Sequence, residues 1–487
     1  MTVKRIININ LPGSKSYTNR ALICAALADG RTRLFGYGEC EDSLMMAEAL
    51  KKMGIHIDVK CQNPNVKSMS KSKCQEHLEI RGGQERLRLP KGQIYVGNTG
   101  TAMRFLASLI GLIVYQKRKA KSEKLKTTAK NLKLRDDDQG VILTGSERMM
   151  ERPIGDLLEA LGELGIHAES VKENECPPIR ITNYELRITN LGGKIKLKGD
   201  ASSQYLSSIL LCAPYFDKDT EIEIIGELTS KPYVDMTIQT MRDFGVRVIN
   251  QNYRHFKVKV DQKYRACDYQ IEPDASAASY FMAGAALTGK TVRFPGLSMM
   301  SKQGDIKFVE VLEQIKNLKL KIKNCNLKLK IREDCLIFKG SGSLSGISVD
   351  MNCMPDMVPT LAVLAIFAKG RTVIRNVANL RIKETDRLRA LATEIRKFGI
   401  EIKEKKDGLE IVGRPELRNR ETDKPVNMAG RQKNMIKVKT YNDHRMAMAF
   451  AVAKLVIPDM IIENPGCTAK SFPGFWNEWR KLCIQSL

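Results

Sequence analysis

Lys15 and Arg20 stand in LPGSKSYTNRALICAALADG, residues 11–30, where small and apolar residues recur with helical spacing from about Ser14 and Asp29-Gly30 closes the run. The first turn of a helix already carries partial positive charge on its free N–H groups, so two cations crowding that end call for an anion between them. The same juxtaposition returns elsewhere: Asn98 and Gly100 before Arg104, Ser202-Ser203-Gln204, Asp274, Asp356, and Asp443-His444-Arg445. Hydroxyls, amides and cations gathered at helix openings suit phosphates and carboxylates, because each donor is already oriented. The implied ligand is a small polyanion. Taken singly, each signal has a plainer reading. PGSKS lacks the spacing of a nucleotide phosphate loop, Ser14, Ser202 and Ser203 suit helix caps, Gly100 suits a turn, and Arg104 and Arg148 suit surface ion pairs. Their combination is what points to a site.

A second cluster supplies acid–base groups. In NLRIKETDRLRALATEIRKFG, residues 379–399, Thr385 or a neighbour begins a helix with Lys383, Glu384, Asp386 and Arg387 at its mouth. Nearby cations pull a carboxyl pKa down and desolvation pushes it up, so Glu384 serves as a proton donor only where burial wins. The alternative is a capped, charge-laced helix start. Asp356, after Pro355 and before an apolar helix, is the second candidate carboxylate, or an N-cap.

The elements that must position these groups repeat. Six segments open on small or polar residues and continue as Ala-rich apolar helices: SKSYTNRALICAALADG, GTAMRFLASLIGL, ASSQYLSSILLCAP, DASAASYFMAGAALTG, PDMVPTLAVLAIFAKG and DHRMAMAFAVAKL. Their apolar content predicts buried helices, recurring at a supersecondary rather than a solenoid interval. A second helix follows most of them and ends in a turn and a strand, in LKKMGIHIDV, LGELGIHAES, MRDFGVRVIN and IRKFGIEIKE. Gly54, Gly165, Gly245 and Gly399 fit the left-handed position that stops a helix. LEQIKNLKLKIKN (312–324) reads as a further copy without the glycine. Six units of two helices and several strands predict an α/β chain, three units to a domain.

A chain of 487 residues exceeds one ordinary core, in keeping with two domains. No apolar run is long enough to cross a bilayer, and the first residues lack a secretory pattern, so a soluble, cytoplasmic protein is expected. Twelve cysteines lie scattered without a C-x-x-C pair, which predicts reduced, mostly buried thiols. Five histidines form no cluster at metal-ligand spacing, and neither metal nor cofactor is expected. The formal net charge of +25 raises nucleic acid as a partner. However, much of the charge falls in 115–135, 67–73 and 414–439, which read as solvated basic loops between patterned segments, and aromatics sit mostly outside them.

LPGSKSYTNRALICAALADG, GNTGTAMRF, SERMMERPIGDLLEAL, DASSQYLSSILL, SKPYVDMT, DASAASYFMAG, DMNCMPD, NLRIKETDRLRALATEIRKFG, YNDHRMAMAFA and CTAKSFPGF resemble, in order, the motifs of the 5-enolpyruvylshikimate-3-phosphate synthases. The resemblance runs almost end to end, with the insertions between motifs. It implies two domains, each a pseudo-threefold inverse α/β barrel of three βαβαββ-like units, closing on the substrates: residues 14–272 form one, and residues 1–13 with 273–487 the other. It implies transfer of the enolpyruvyl group of phosphoenolpyruvate to the 5-hydroxyl of shikimate 3-phosphate, a step toward chorismate and aromatic amino acids, by a monomer needing no cofactor. Carried over by position, Lys15, Ser16, Arg20, Ser202, Ser203, Ser230, Tyr233, Asp356, Asn379 and Lys383 hold shikimate 3-phosphate. Lys15, Gly100, Arg148, Gln204, Arg387, Arg445 and Lys470 hold phosphoenolpyruvate. Asp356 accepts the hydroxyl proton and Glu384 protonates the methylene carbon, with Lys15 a rival donor.

Two other functions compete. A UDP-N-acetylglucosamine enolpyruvyl transferase carries a reactive cysteine on a loop that corresponds here to TGSERMMERP, which has none. A non-catalytic basic nucleic-acid-binding protein would have no need of every charged position that the transfer requires. The sequence also departs from the family: Phe105 stands where many members have proline, and EPD at 272–274 replaces a common EGD. Phe105 is expected near the phosphoenolpyruvate pocket, affecting inhibitor binding more than turnover. Gly100 implies sensitivity to glyphosate. RITNYELRITN (180–190) has no assigned role.

Overall fold

The structure is a computed structural model, and it describes residues 6–61, 76–90, 92–127, 140–182, 190–200, 202–315, 335–419 and 435–484. The chain forms two compact units, Ser14–Ile271 and Met1–Gly13 with Glu272–Leu487. Each has its own apolar core.

The first unit contains α1 (Lys15–Leu27), α2 (Glu41–Lys52), α3 (Gly100–Thr127), α4 (Gly155–Glu163), α5 (Ser203–Cys212) and α6 (Lys231–Asp243). The second contains α7 (Ala275–Thr288), α8 (Phe308–Gln314), α9 (Val358–Ile366), α10 (Arg387–Arg396), α11 (His444–Lys454) and α12 (Phe475–Cys483). α1, α3, α5, α7, α9 and α11 are the Ala-rich segments. The second helix of four modules stops at Gly54, Gly165, Gly245 and Gly399, whose φ angles are 92°, 99°, 92° and 73°. A side chain at such φ meets its own backbone, which is why glycine ends these helices.

Four of the Ala-rich helices, α3, α5, α9 and α11, cross between two parallel strands, as a parallel pair requires. In one module Gln93–Tyr95 pairs in parallel with Val141–Thr144, which is followed antiparallel by Ile179–Thr182 and His167–Ser170. Gly193–Lys198 and Thr220–Ile225 repeat the arrangement with His255–Val258 and Val248–Gln251. Ser348–Asp350 and Gly370–Arg375 do so with Gly408–Gly413 and Glu401–Lys405. Two leading strands are taken from distant sequence. Ile6–Asn8 pairs with Thr291–Pro295 in the second unit, and Asp268–Gln270 pairs with Gly30–Phe35 in the first. The last module is reduced to Lys437–Val438 paired with Ile461–Ile462. Three modules to a unit make the expected two-unit α/β fold.

Three expectations change. The basic stretch 115–135 is not a loop where it is described, because α3 runs on to Thr127; its Ala, Lys, Glu and Leu are strong helix formers. Lys119 there reaches Asp217 at 2.7 Å. Of the described cysteines only Cys24, Cys40, Cys212 and Cys335 are buried, and Cys61, at the exposed end of its strand, is disulfide-bonded rather than reduced. Residues 67–73, 316–324 and most of RITNYELRITN lie outside the described residues, as does 420–434 of the late basic segment. No described helix is long and apolar enough to cross a membrane.

Candidate active site

In the first unit the helix openings converge. Ser14 caps the backbone of α1 without a side-chain cap bond, so its hydroxyl is not spent on the helix. Lys15 Nζ lies 2.9 Å from Asp42 Oδ2 in the first turn of α2, and the Thr99 hydroxyl, just ahead of α3, donates to Asp42 Oδ1 at 2.8 Å. One buried carboxylate thus ties the starts of three helices. The helix dipole disfavours Lys15 at its own N-terminus, and Asp42 offsets that repulsion.

Arg20, one turn further along α1, is almost wholly buried. It donates from Nε to Thr237 Oγ1 (2.7 Å), from Nη1 to the Ser16 carbonyl (2.8 Å) and from Nη2 to the Tyr233 carbonyl (2.9 Å). Burial pushes its guanidinium down to about 10, which still leaves it charged at neutral pH. Beneath it, 5.4 Å away, is the ring of Phe105. Phe105 is therefore a buried face for Arg20; a desolvated cation gains most from such a ring.

Ser230 opens α6 in left-handed backbone, φ 55°, and its carbonyl accepts the Tyr233 N–H at 3.0 Å. Ser202 caps α5 by accepting the Gln204 N–H at 3.3 Å, and Ser203 is buried beside it. Gln204 Nε2 reaches Thr101 of α3 at 3.5 Å. Gly100 has a steric reason: a Cβ there would stand 2.4 Å from the Arg152 guanidinium. Arg152, which the sequence did not single out, is buried and donates to both oxygens of Asn98 at 3.2 Å. Arg148 instead pairs with the exposed Glu151 at 2.7 Å. Arg104 packs inward on the Pro153 carbonyl at 2.9 Å and is no surface ion-pair partner.

The second unit gathers its charges around Arg387, whose side chain is 1 % exposed. Asp386, not Thr385, caps α10 by accepting the Arg389 N–H at 3.0 Å. That places Arg387 at the first helical position. Its Nε and Nη2 donate to Asp443 at 2.7 and 3.2 Å, Nη1 to Asp356 Oδ1 at 3.0 Å, and Nη2 to Glu384 Oε2 at 2.8 Å. Arg445 takes the other oxygen of Asp356 at 2.6 Å and approaches the Tyr280 hydroxyl at 3.3 Å. Asp443 caps α11 through the Arg445 N–H at 2.9 Å. Asp356 sits inside the 3-10 turn Pro355–Met357, whose N-cap is Met354, and α9 is capped by Met357, which removes the N-cap alternative.

These carboxylates differ in role by exposure. Asp443 is 0 % exposed, whereas Asp356 and Glu384 retain 15 % and 10 %. Removing one partner of a fully buried pair costs about 3–5 kcal/mol, so Asp443 fixes Arg387 in place, and Asp356 and Glu384 form the reachable edge. Burial raises the Asp356 carboxyl, but Arg445, Lys383 and Arg387 outweigh it and hold the group well below the usual carboxylate range, against the opposing charge of Glu384. Burial lowers Arg387, yet Asp443, Glu384 and Asp356 raise it overall. Asp305 near Asp356 is pushed up to about 6, chiefly by burial and then by Asp356. Asn379, in the 3-10 turn Ala378–Ile382, has a buried Oδ1 without a hydrogen-bond partner among the described residues. Lys383 follows that turn, and buried Lys470 ends the 3-10 helix Pro465–Lys470.

Each unit thus presents cations already neutralised by protein carboxylates at helix mouths. An incoming phosphate or carboxylate can gain these donors only by displacing Asp42, Asp356 or Glu384. No described group of three or more His, Cys, Asp or Glu could hold a metal ion.

Comparison with known proteins gives a consistent result. The family model described as EPSP synthase (3-phosphoshikimate 1-carboxyvinyltransferase) matches residues 6–479. A 3-phosphoshikimate 1-carboxyvinyltransferase of Haemophilus influenzae (strain PittGG) is 40% identical over 479 residues, covering 98% of this chain and 96% of its own. One from Mannheimia succiniciproducens is 41% identical over 476 residues, with 97% and 96% covered. A solved EPSP synthase from Acinetobacter baumannii superposes with a TM-score of 0.68 at 25% identity, covering 98% of this chain and 96% of that one.

Proposed function

The chain belongs to the EPSP synthase family, and from that premise we propose that both charge clusters serve one reaction, transfer of the enolpyruvyl group of phosphoenolpyruvate to the 5-hydroxyl of shikimate 3-phosphate with release of phosphate. The observation that carries this reading is one buried guanidinium, Arg387, bonded at once to Asp356, Glu384 and Asp443. Shikimate 3-phosphate is assigned to Lys15, Ser16, Arg20, Ser202, Ser203, Ser230, Tyr233, Asp356, Asn379 and Lys383. Phosphoenolpyruvate is assigned to Lys15, Gly100, Arg148, Gln204, Arg387, Arg445 and Lys470, to which the position of Arg152 beside Gly100 adds that residue.

Partner exchange supplies the acid–base chemistry. When the carboxylate and phosphate of phosphoenolpyruvate take Arg387 and Arg445, Asp356 loses the charges that depress it while staying mostly buried, and its carboxyl rises. Glu384 is released from Arg387 at the same time. Glu384 is then protonated and gives its proton to the methylene carbon, which becomes a methyl group. The 5-hydroxyl oxygen adds to the adjacent carbon as Asp356 takes the hydroxyl proton. In the second half the methyl group returns a proton to the Glu384 carboxylate, the double bond re-forms and the C–O bond to phosphate breaks, its electron pair leaving with the phosphate. The cations are fixed in place by packing and stabilise the adduct without reorganising.

The experiment is release of phosphate from phosphoenolpyruvate, followed with shikimate 3-phosphate and with UDP-N-acetylglucosamine. Release is expected with the first acceptor only. Release with the sugar nucleotide alone would reassign the enzyme.

Gly100→Ala gives a residue-level check. The added Cβ would meet the far end of Arg152 at 2.4 Å, a flexible group that can swing aside, so the fold should survive. KM for phosphoenolpyruvate is expected to rise about tenfold and glyphosate inhibition to weaken, with KM for shikimate 3-phosphate unchanged, as for a lost ground-state contact. An unchanged KM for phosphoenolpyruvate would detach both Gly100 and Arg152 from that substrate.

A further inference from the structure

Glu394 lies on the buried face of α10 with no exposed surface. It accepts from Lys397 Nζ (2.6 Å), the Lys439 N–H (2.9 Å) and the Tyr441 hydroxyl (2.8 Å), while Lys397 Nζ also donates to the Lys437 carbonyl (2.8 Å). Carboxylates are rarely buried this deeply without partners, and here the partners beyond α10 all belong to residues 437–441. That segment leads into a turn at Tyr441 and Asn442, both at φ 54°. Two successive non-glycine residues hold left-handed backbone only when their surroundings over-determine it.

The next residue is Asp443, which caps α11 and holds Arg387. On the other side Asn464, itself at φ 49°, donates from Nδ2 to Asn442 Oδ1 at 3.1 Å and caps the 3-10 helix that ends in Lys470. From these contacts we infer that Glu394 is a positioning residue for phosphoenolpyruvate: it clamps the strained Tyr441–Asn442 turn that aims Arg445 and, through Asn464, Lys470. The inference rests on the assignment of those two cations to phosphoenolpyruvate. Burial and Glu394 push the Tyr441 phenol up to about 12, so the clamp keeps its proton throughout the neutral range.

The test compares wild type with Glu394→Ala, Glu394→Gln, Tyr441→Phe and Arg445→Gln, reading both KM values, kcat and Tm. Glu394→Ala and Arg445→Gln are each expected to raise KM for phosphoenolpyruvate about tenfold or more, and Tyr441→Phe about threefold, with KM for shikimate 3-phosphate within about twofold. Glu394→Gln keeps an acceptor oxygen and should stay within about threefold of wild type. A lower Tm with KM for phosphoenolpyruvate unmoved in Glu394→Ala and Tyr441→Phe would reduce the clamp to a structural bond and overturn the inference; so would equal rises in both KM values. If Glu394→Ala does not fold, Tyr441→Phe decides. If Arg445→Gln leaves KM for phosphoenolpyruvate unchanged, the site assignment fails first and the inference falls with it.

Discussion

A Lys15→Met variant should fold normally and lose about a thousandfold or more in kcat/KM, the scale of removing a preorganised charge that two substrates share. The fold should survive because Lys15 is a poor guest of its own helix: it sits at the positive end of α1, where the dipole repels it. Its partner Asp42 is not abandoned either. Asp42 keeps the Thr99 hydroxyl at 2.8 Å and lies in the first turn of α2, where a negative charge is favoured. Methionine preserves the length and apolar stem of lysine, so the loss reports the ammonium group. Steady-state rates with a melting curve on the same preparation decide it. Turnover within threefold of wild type would remove Lys15 from both substrates.

Asp356→Ala is the second large effect, with an unusual signature. Loss of a general base costs about 10²–10⁴ in rate. Yet Asp356 also occupies Arg387 at 3.0 Å and Arg445 at 2.6 Å, so its removal frees both cations for phosphoenolpyruvate. kcat should fall by about that factor while KM for phosphoenolpyruvate stays level or drops, as when a mutation lowers both parameters together. If KM rose instead and kcat held, Asp356 would be a strut for the two arginines, and another group would take the hydroxyl proton.

Much of the fold was legible because it is written in local rules. Ala-rich helical periodicity, left-handed glycines at 54, 165, 245 and 399, and polar helix openings each follow from a few neighbouring residues. The cations of the site could be read for the same reason, since Lys15, Arg387 and Arg445 stand at helix starts. Their counter-charges could not. Asp42 lies in CEDSLMM, which carries no motif, and becomes visible only when α1, α2 and α3 are brought together. Arg148 and Arg152 stand four apart in one short segment, and only packing shows that Arg152 is the guanidinium beside Gly100. Phe105 meets Arg20 across 85 residues of chain. Glu394 carries no signal in the sequence, and its burial against residues 437–441 is visible only in the fold. The basic stretch after residue 115 misled because charge density suggests a loop, whereas helix propensity prevails as far as Thr127.

The most direct measurement mixes the protein with equimolar phosphoenolpyruvate and shikimate 3-phosphate and follows phosphorus by NMR. The account predicts that inorganic phosphate and one new phosphate monoester appear together in equal amounts, and that neither forms when either substrate is left out. Phosphate appearing from phosphoenolpyruvate while the shikimate 3-phosphate signal stays whole would make the protein a phosphatase and contradict the account.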